Sequence, residues 1–225
     1  MEKYLGLLSS TALFDGIEQE NISSMLGCLS ARKLSFRRGE SLFMEGDRAG
    51  FVGLVLEGEV QILRDDFYGK TSLMDVAGVG QLFAEVFACT GAETMPVSAY
   101  ARTDCTVLTM DCRRIMTLCS NSCVFHNQII KNLLKAVAEK TLGLSRKIRI
   151  MSQRSTKEKL LAYLSEQAKL CGSASFDISL DRQSLADYLG VERSAMSAEL
   201  GKLRKEGLLE CSGRHFRLLT EREEA

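Results

Sequence analysis

The sequence predicts an α+β chain in three parts: an N-terminal β-barrel or sandwich, one long helix and a C-terminal winged helix-turn-helix. Three observations carry this. Short apolar runs between Lys33 and Met110 are separated by glycine-bearing breaks. A heptad seam runs from Ile130 to Met151, and Leu180–Leu200 has the small-residue and glycine spacing of two short, tightly joined helices. The expected domains are 1–111, 112–152 and 153–225.

In chain order, the first thirty residues read as helical. Leu5, Leu8, Leu13, Ile17, Ile22, Met25 and Leu26 fall at roughly helical spacing, with a break near Asp15-Gly16. From Lys33 the pattern becomes one of strands: Lys33–Phe36, Ser41–Met44, Phe51–Glu57, Glu59–Arg64, Thr71–Val76 and Val97–Met110. The breaks Arg38-Gly39-Glu40, Glu45-Gly46-Asp47, Glu57-Gly58-Glu59 and Tyr68-Gly69-Lys70 each supply a residue tolerant of positive φ. Even spacing of short strands indicates a sandwich or small barrel.

Arg113–Gln153 contains no proline and a single glycine, Gly143. Ile130, Leu134, Val137, Thr141, Leu144, Ile148 and Met151 follow a 4-3-4-3-4-3 spacing, which keeps one apolar edge facing a partner helix. Ile130, Leu134, Val137, Thr141, Leu144 and Ile148 are the expected dimer seam. Ser155 followed by Glu158 has the form of a capping box, so residues 153–156 read as a hinge. The basic run Lys140, Arg146, Lys147, Arg149, Arg154, Lys157 and Lys159 reads as a solvated helix face.

The C-terminal pattern is the most specific. Leu185 and Leu189 give the inner face of a first helix, Ala186 allows close approach, and Gly190 follows at the turn. Met196, Leu200 and Leu203 continue inward on a second helix, whose outer face carries Arg193, Ser194, Ser197 and Lys202. In such a motif the second helix enters the DNA major groove. Arg193 has the geometry to donate two hydrogen bonds to guanine, while Gln183 and Ser184 lie where phosphate is met. Leu208–Cys211 and His215–Leu219 around Ser212-Gly213 read as a hairpin, the wing.

Composition bounds the remaining possibilities. The 225 residues carry 29 basic and 29 acidic side chains, so DNA contact must come from a local patch rather than from overall charge. No signal-peptide pattern opens the sequence and no apolar run is long enough to span a bilayer. A cytoplasmic location, with the eight cysteines as thiols, is therefore expected. With two histidines, His126 and His215, and no nucleophile–base set, Gly-rich phosphate loop or paired carboxylates, an enzyme is not expected.

The order of parts resembles the CRP/FNR family of bacterial transcription regulators over nearly the full chain. The resemblance rests on Arg38-Gly39-Glu40, Leu42–Asp47, Leu56–Val60, Gly69-Lys70, Phe83-Ala84-Glu85, Thr103-Asp104-Cys105 and the helix-turn-helix. It implies a cyclic-nucleotide-binding-type jelly-roll barrel, a dimer helix and an effector that reorients two DNA-binding domains on a two-fold operator. It also implies RNA polymerase as a partner if the protein activates. The implied effector pocket draws on Phe83, Ala84, Glu85, Val86, Met95, Pro96, Val97, Leu133, Ala136 and Val137, with Glu85 where the family contacts ribose.

The departures predict a changed ligand and a changed operator. Ala84 replaces the family's glycine, and Glu93–Ala99 holds no arginine for a cyclic phosphate. A buried phosphate without a cation loses a strong charge-assisted contact, so the effector is expected not to be cyclic AMP. In the second helix Ser194 and Ala198 replace a common glutamate and a common arginine. No particular cofactor is assigned and no metal site is expected. The other reading is a redox-, haem- or metal-responsive regulator of the same fold, using Cys112, Cys119 and Cys123 with His126, or thiols among Cys89, Cys105, Cys171 and Cys211.

Overall fold

The computed structural model describes residues 1–117 and 124–219. The chain divides into two compact units, Met1–Lys140 and Thr141–Ala225. The division falls inside the long helix, ahead of the boundary at residue 153 expected from the sequence.

The first unit opens with helices α1 (Leu5–Ser9) and α2 (Gln19–Cys28), flanked by short 3-10 turns. Eight strands follow: β1 (Arg32–Phe36), β2 (Ser41–Phe43), β3 (Phe51–Glu57), β4 (Val60–Asp65), β5 (Thr71–Ala77), β6 (Leu82–Phe83), β7 (Ser98–Ala101) and β8 (Cys105–Asp111). They form two antiparallel four-stranded sheets, ordered β1-β8-β3-β6 and β2-β7-β4-β5. The expected strand Val97–Met110 is two strands, one in each sheet; the chain changes sheets at Arg102–Asp104.

β3 shows why a continuous apolar run makes a strand here. Successive side chains point to opposite faces. Val52, Leu54 and Leu56 pack with Leu8, Phe14, Ile22 and Met25 of the N-terminal helices, while Val55 faces the barrel interior with Phe43, Val60 and Val107. A strand buried on both faces loses its polar alternation. Between these, Gly53 leaves room for the Phe83 ring: a Cβ there would lie 2.1 Å from Phe83 Cζ. Phe83 thus fills the barrel from β6.

Two short helices, α3 (Glu85–Cys89) and α4 (Cys112–Met116), flank the sheets. Asp111 caps α4, accepting from the Arg113 amide at 2.8 Å. The long helix α5 runs Val124–Met151, so the sequence from Arg113 to Gln153 is not one helix. Its N-terminal half packs on the first unit through Ile129 and Leu133. Buried Asn132 fixes it there: Nδ2 donates to the carbonyls of Leu13 at 2.9 Å and Asp15 at 2.8 Å, and Oδ1 accepts from Gln128 Nε2 at 3.0 Å.

The second unit takes up the end of α5, because Ile150 is buried with Leu160, Tyr163 and Leu164 of α6 (Thr156–Cys171). The Ser155 hydroxyl accepts from the Glu158 amide at 3.2 Å, and the Glu158 carboxylate accepts from the Ser155 amide at 3.0 Å, completing the capping box. Helices α7 (Arg182–Leu189) and α8 (Arg193–Lys205) follow, then β10 (Leu209–Ser212) and β11 (His215–Leu218). β9 (Ser175–Asp177), which the sequence pattern did not reveal, completes a sheet ordered β10-β11-β9.

Candidate functional site

Two surfaces carry chemistry, one in each unit. In the second unit α7 and α8 meet through buried Leu185, Ala186 and Leu189 on one side and Met196, Leu200 and Leu203 on the other. Asp181 caps α7 by accepting from the Ser184 amide at 2.8 Å, which holds its carboxyl below the usual carboxylate range. Gly190 ends α7 at φ +61°, and a Cβ there would sit 3.3 Å from Met151 Cε. This left-handed residue swings the chain directly into α8.

With its inner face buried, α8 presents Arg193, Ser194 and Ser197 to solvent. Arg193 makes no ion pair among the described residues, leaving its guanidinium free for an external acceptor. Glu192, the residue before α8, makes no side-chain cap, so the helix's first amides are open to an anion. The other expected contact residues are partly engaged. Gln183 Nε2 donates to Asp187 at 2.9 Å, Ser184 is half-buried, and Lys202 Nζ pairs with Glu199 at 3.0 Å. The pair gives the Glu199 carboxylate, 17% exposed, a cationic partner on its own helix.

Members of the basic run make local contacts that spacing did not show, while Arg149 and Lys157 stay 58% and 40% exposed on the helix surface. Lys147 lies 5.3 Å from the Tyr188 ring centroid, Arg149 pairs with Glu166, Lys157 pairs with Glu206 at 2.7 Å, and Lys159 donates to the Leu189 carbonyl at 3.2 Å. Lys140 is likewise held, at the second surface.

That surface is a cleft of about 370 Å³ in the first unit, lined by Ala12, Leu13, Asp75, Val76, Ala77, Gly80, Gln81, Leu82, Glu85, Ala136, Glu139 and Lys140. Glu85 is the first residue of α3 and is 2% exposed. Its Oε1 accepts from Lys140 Nζ at 2.9 Å, and its Oε2 has no hydrogen-bond partner. Lys140 Nζ also meets Asp75 Oδ2 at 3.0 Å. Burial pulls the Lys140 ammonium down, but the Glu85 and Asp75 carboxylates more than offset this, so its pKa is raised above the usual lysine value.

Of the ten pocket residues expected from the sequence, Glu85 and Ala136 line this cleft. Phe83, Ala84, Met95 and Val97 are packed in the barrel core instead, and Leu133 and Val137 belong to the helical core. Val86 and Pro96 are exposed away from it. Ala84 takes φ +62°, a left-handed backbone that its glycine counterpart would hold without a Cβ clash. Met95, 1% exposed, fills the stretch where a phosphate-binding arginine would stand. Among the described residues Lys140 is the cation that contacts Glu85, and it is already shared with Asp75. The residues therefore do not fit a cyclic phosphate.

Asp75, Gln81 and Glu139 escaped sequence reading, and Lys140 was read only as part of a basic helix face, since β5, the turn before β6 and α5 bring them together without a local motif. The proposed cysteine sites fare differently. Cys119 and Cys123 lie outside the described residues, and His126 is buried. Cys105 is buried alone, whereas Cys89 Sγ lies 4.0 Å from Cys112 Sγ, a pairing the spacing did not suggest. Among the described residues no group of three or more His, Cys, Asp or Glu is placed to hold a metal ion.

The expected seam divides by exposure. Leu134, Leu144 and Ile148 are 69%, 58% and 68% exposed on α5, and Thr141 is also exposed. Ile130 and Val137 are half-buried, Val137 against the core of the first unit. No helix among the described residues is long and apolar enough to cross a membrane.

Comparison with known proteins agrees with this architecture. The cyclic nucleotide-binding domain family matches residues 33–122, and the Crp-like helix-turn-helix domain family matches residues 158–223. The chain is 25% identical over 181 residues to the probable transcriptional regulator flp of Lacticaseibacillus casei, covering 80% of each. It is 22% identical over 203 residues to the transcriptional activator protein FnrL of Cereibacter sphaeroides, covering 83% of this chain and 76% of that one. Among solved structures, the c-di-GMP-responsive global regulator CLP of Xanthomonas campestris has the same fold, with a TM-score of 0.56, 20% identity, and coverage of 91% of this chain and 100% of that one. A nucleotide-binding-type barrel joined by a long helix to a Crp-like helix-turn-helix, among relatives that regulate transcription rather than catalyse, makes this chain a member of the CRP/FNR family of transcription regulators.

Proposed function

We propose that this regulator acts as a homodimer, joined along α5, whose operator affinity is set by a small effector other than a cyclic nucleotide. Arg193 reads a base edge, Ser194 and Ser197 contact base or phosphate, and Gln183, Ser184 and Lys202 position the helix on the backbone. A family relative that activates supports the same sign here, with RNA polymerase as the partner. The observation that carries the reading is the solvent-facing Arg193–Ser197 edge of α8, set over a fully packed inner face. Selection from a random DNA pool, followed by gel shift, tests it. An enriched two-fold site with half-sites one helical turn apart is expected. Recovery of no sequence preference would leave the chain a non-specific binder and refute the reading.

A thiol-responsive reading has one observation in its favour, the Cys89–Cys112 approach. Against it, burial pushes the Cys112 thiol up to about 12, and thiolate is the reactive form. Operator binding that is unchanged between dithiothreitol and diamide, with mass spectrometry showing Cys89 and Cys112 unlinked, would remove it.

A further inference from the structure

We propose that the cleft at Glu85 takes a small organic cation, an amine with a short apolar body, whose ammonium displaces Lys140 from Glu85. The inference rests on the effector-sensing reading above and names the ligand class of that site. Three carboxylates, Asp75, Glu85 and Glu139, line the cleft against one ammonium. Any anion entering it meets a net negative wall, and its one attractive partner is already shared between Glu85 and Asp75.

Glu85 is the group that asks for a ligand. An ionised carboxylate has about four acceptor positions. Glu85 is almost fully buried, yet uses one oxygen on Lys140 and leaves the other without a partner. A buried acceptor left unmade is costly, and more so when charged. Lys140 satisfies it from a long, flexible stem whose side chain stays 37% exposed, so it can withdraw into solvent when a better donor arrives. A metal ion is the poorer occupant, since among the described residues no three such ligands converge. Leu13, Val76, Leu82 and Ala136 supply apolar walls for the body of an amine, and about 370 Å³ limits it to a compact one.

Chemical rescue tests this without knowing the natural ligand. Lys140→Ala removes the atoms from Cγ to Nζ, and the matching free molecule is n-propylammonium. Thermal unfolding and calorimetric titration would use n-propylammonium chloride, with 1-propanol and sodium propionate at matched ionic strength. The expected result is saturable stabilisation of Lys140→Ala by n-propylammonium alone, abolished when Glu85→Gln is added. Binding should be roughly tenfold tighter than to wild type, where the resident ammonium competes. If Lys140→Ala does not fold, Lys140→Met keeps the helix and is titrated with methylammonium. An equal response to propanol or propionate, or no saturable ammonium response, overturns the proposal. Operator binding followed in the same titration separates the two claims. Ammonium binding without a change in DNA affinity leaves the site standing and removes its sensing role.

Discussion

Leu134→Asp is the sharpest test of dimerisation along α5. Full burial of a leucine or isoleucine side chain is worth about 1.5–3 kcal/mol. Leu134 is 69% exposed in the single chain, so covering it with a partner recovers about 1–2 kcal/mol of that. A two-fold interface uses every residue twice, which makes the Leu134 contribution about 2–4 kcal/mol per dimer. Replacing both copies by aspartate should therefore raise the dimer dissociation constant by roughly 30- to 1000-fold, before any repulsion between the two carboxylates. Sedimentation equilibrium across a concentration series reads the shift directly, and gel shift should show operator binding lost in parallel. Leu142→Asp is the control. Leu142 is 61% exposed, comparable with Leu134, but lies about a third of a turn around the helix from the seam. A Leu134→Asp protein that remains dimeric, or an equal loss in Leu142→Asp, would refute the seam.

Three further outcomes are expected. Arg193→Ala should cost about 1–3 kcal/mol of discrimination at a single base pair, measured by competition among operator variants; uniform weakening on every sequence would make Arg193 a phosphate contact. Gly53→Ala should destabilise the barrel by about 1–3 kcal/mol in urea titration, because the new methyl enters the Phe83 ring, and Phe83→Leu in the same chain should recover part of the loss. Alkaline pH should weaken the fold. Burial raises the Cys112 thiol from 9.0 to about 12 and the Tyr163 hydroxyl from 10.0 to about 12. Both are raised in the folded state, so their contribution is fully present below pH 9 and is lost as pH climbs towards 12. Urea midpoints measured from pH 8 to pH 11 should fall across that window, and Tyr163→Phe should flatten its upper part.

Elements whose information is local were legible in the sequence. β3, β4 and β5 lie within a residue or two of their apolar runs, since glycine breaks delimit them. The α7–α8 pair was legible because one tight turn requires Gly190 and Ala186 at fixed offsets. The split of Val97–Met110 was not, because Arg102–Asp104 contains neither glycine nor proline. That corner is set from elsewhere: Gly58 lets its own turn approach, where a Cβ would lie 2.2 Å from the Asp104 carbonyl oxygen, and Asp104 accepts from the Arg38 amide at 2.8 Å. The site divided in the same way. Arg193, Ser194 and Ser197 share one face of one helix, so spacing alone gathers them. Asp75, Glu85 and Lys140 arrive from a strand, a short helix and a long one. Their meeting is a property of the fold, invisible to any window of sequence.

The Asn132 amide gives α5 a mechanical character. Apolar contacts tolerate sliding, but two hydrogen bonds from Asn132 to the Leu13 and Asp15 carbonyls have one register. The helix is therefore pinned at that point, and Lys140 lies about 12 Å further along it at 1.5 Å per residue. Tilting α5 by roughly 5° about its pin moves the helix at Lys140 by about 1 Å, enough to stretch the Glu85 ion pair. The Lys140–Glu85 pair therefore braces α5 against tilting about Asn132.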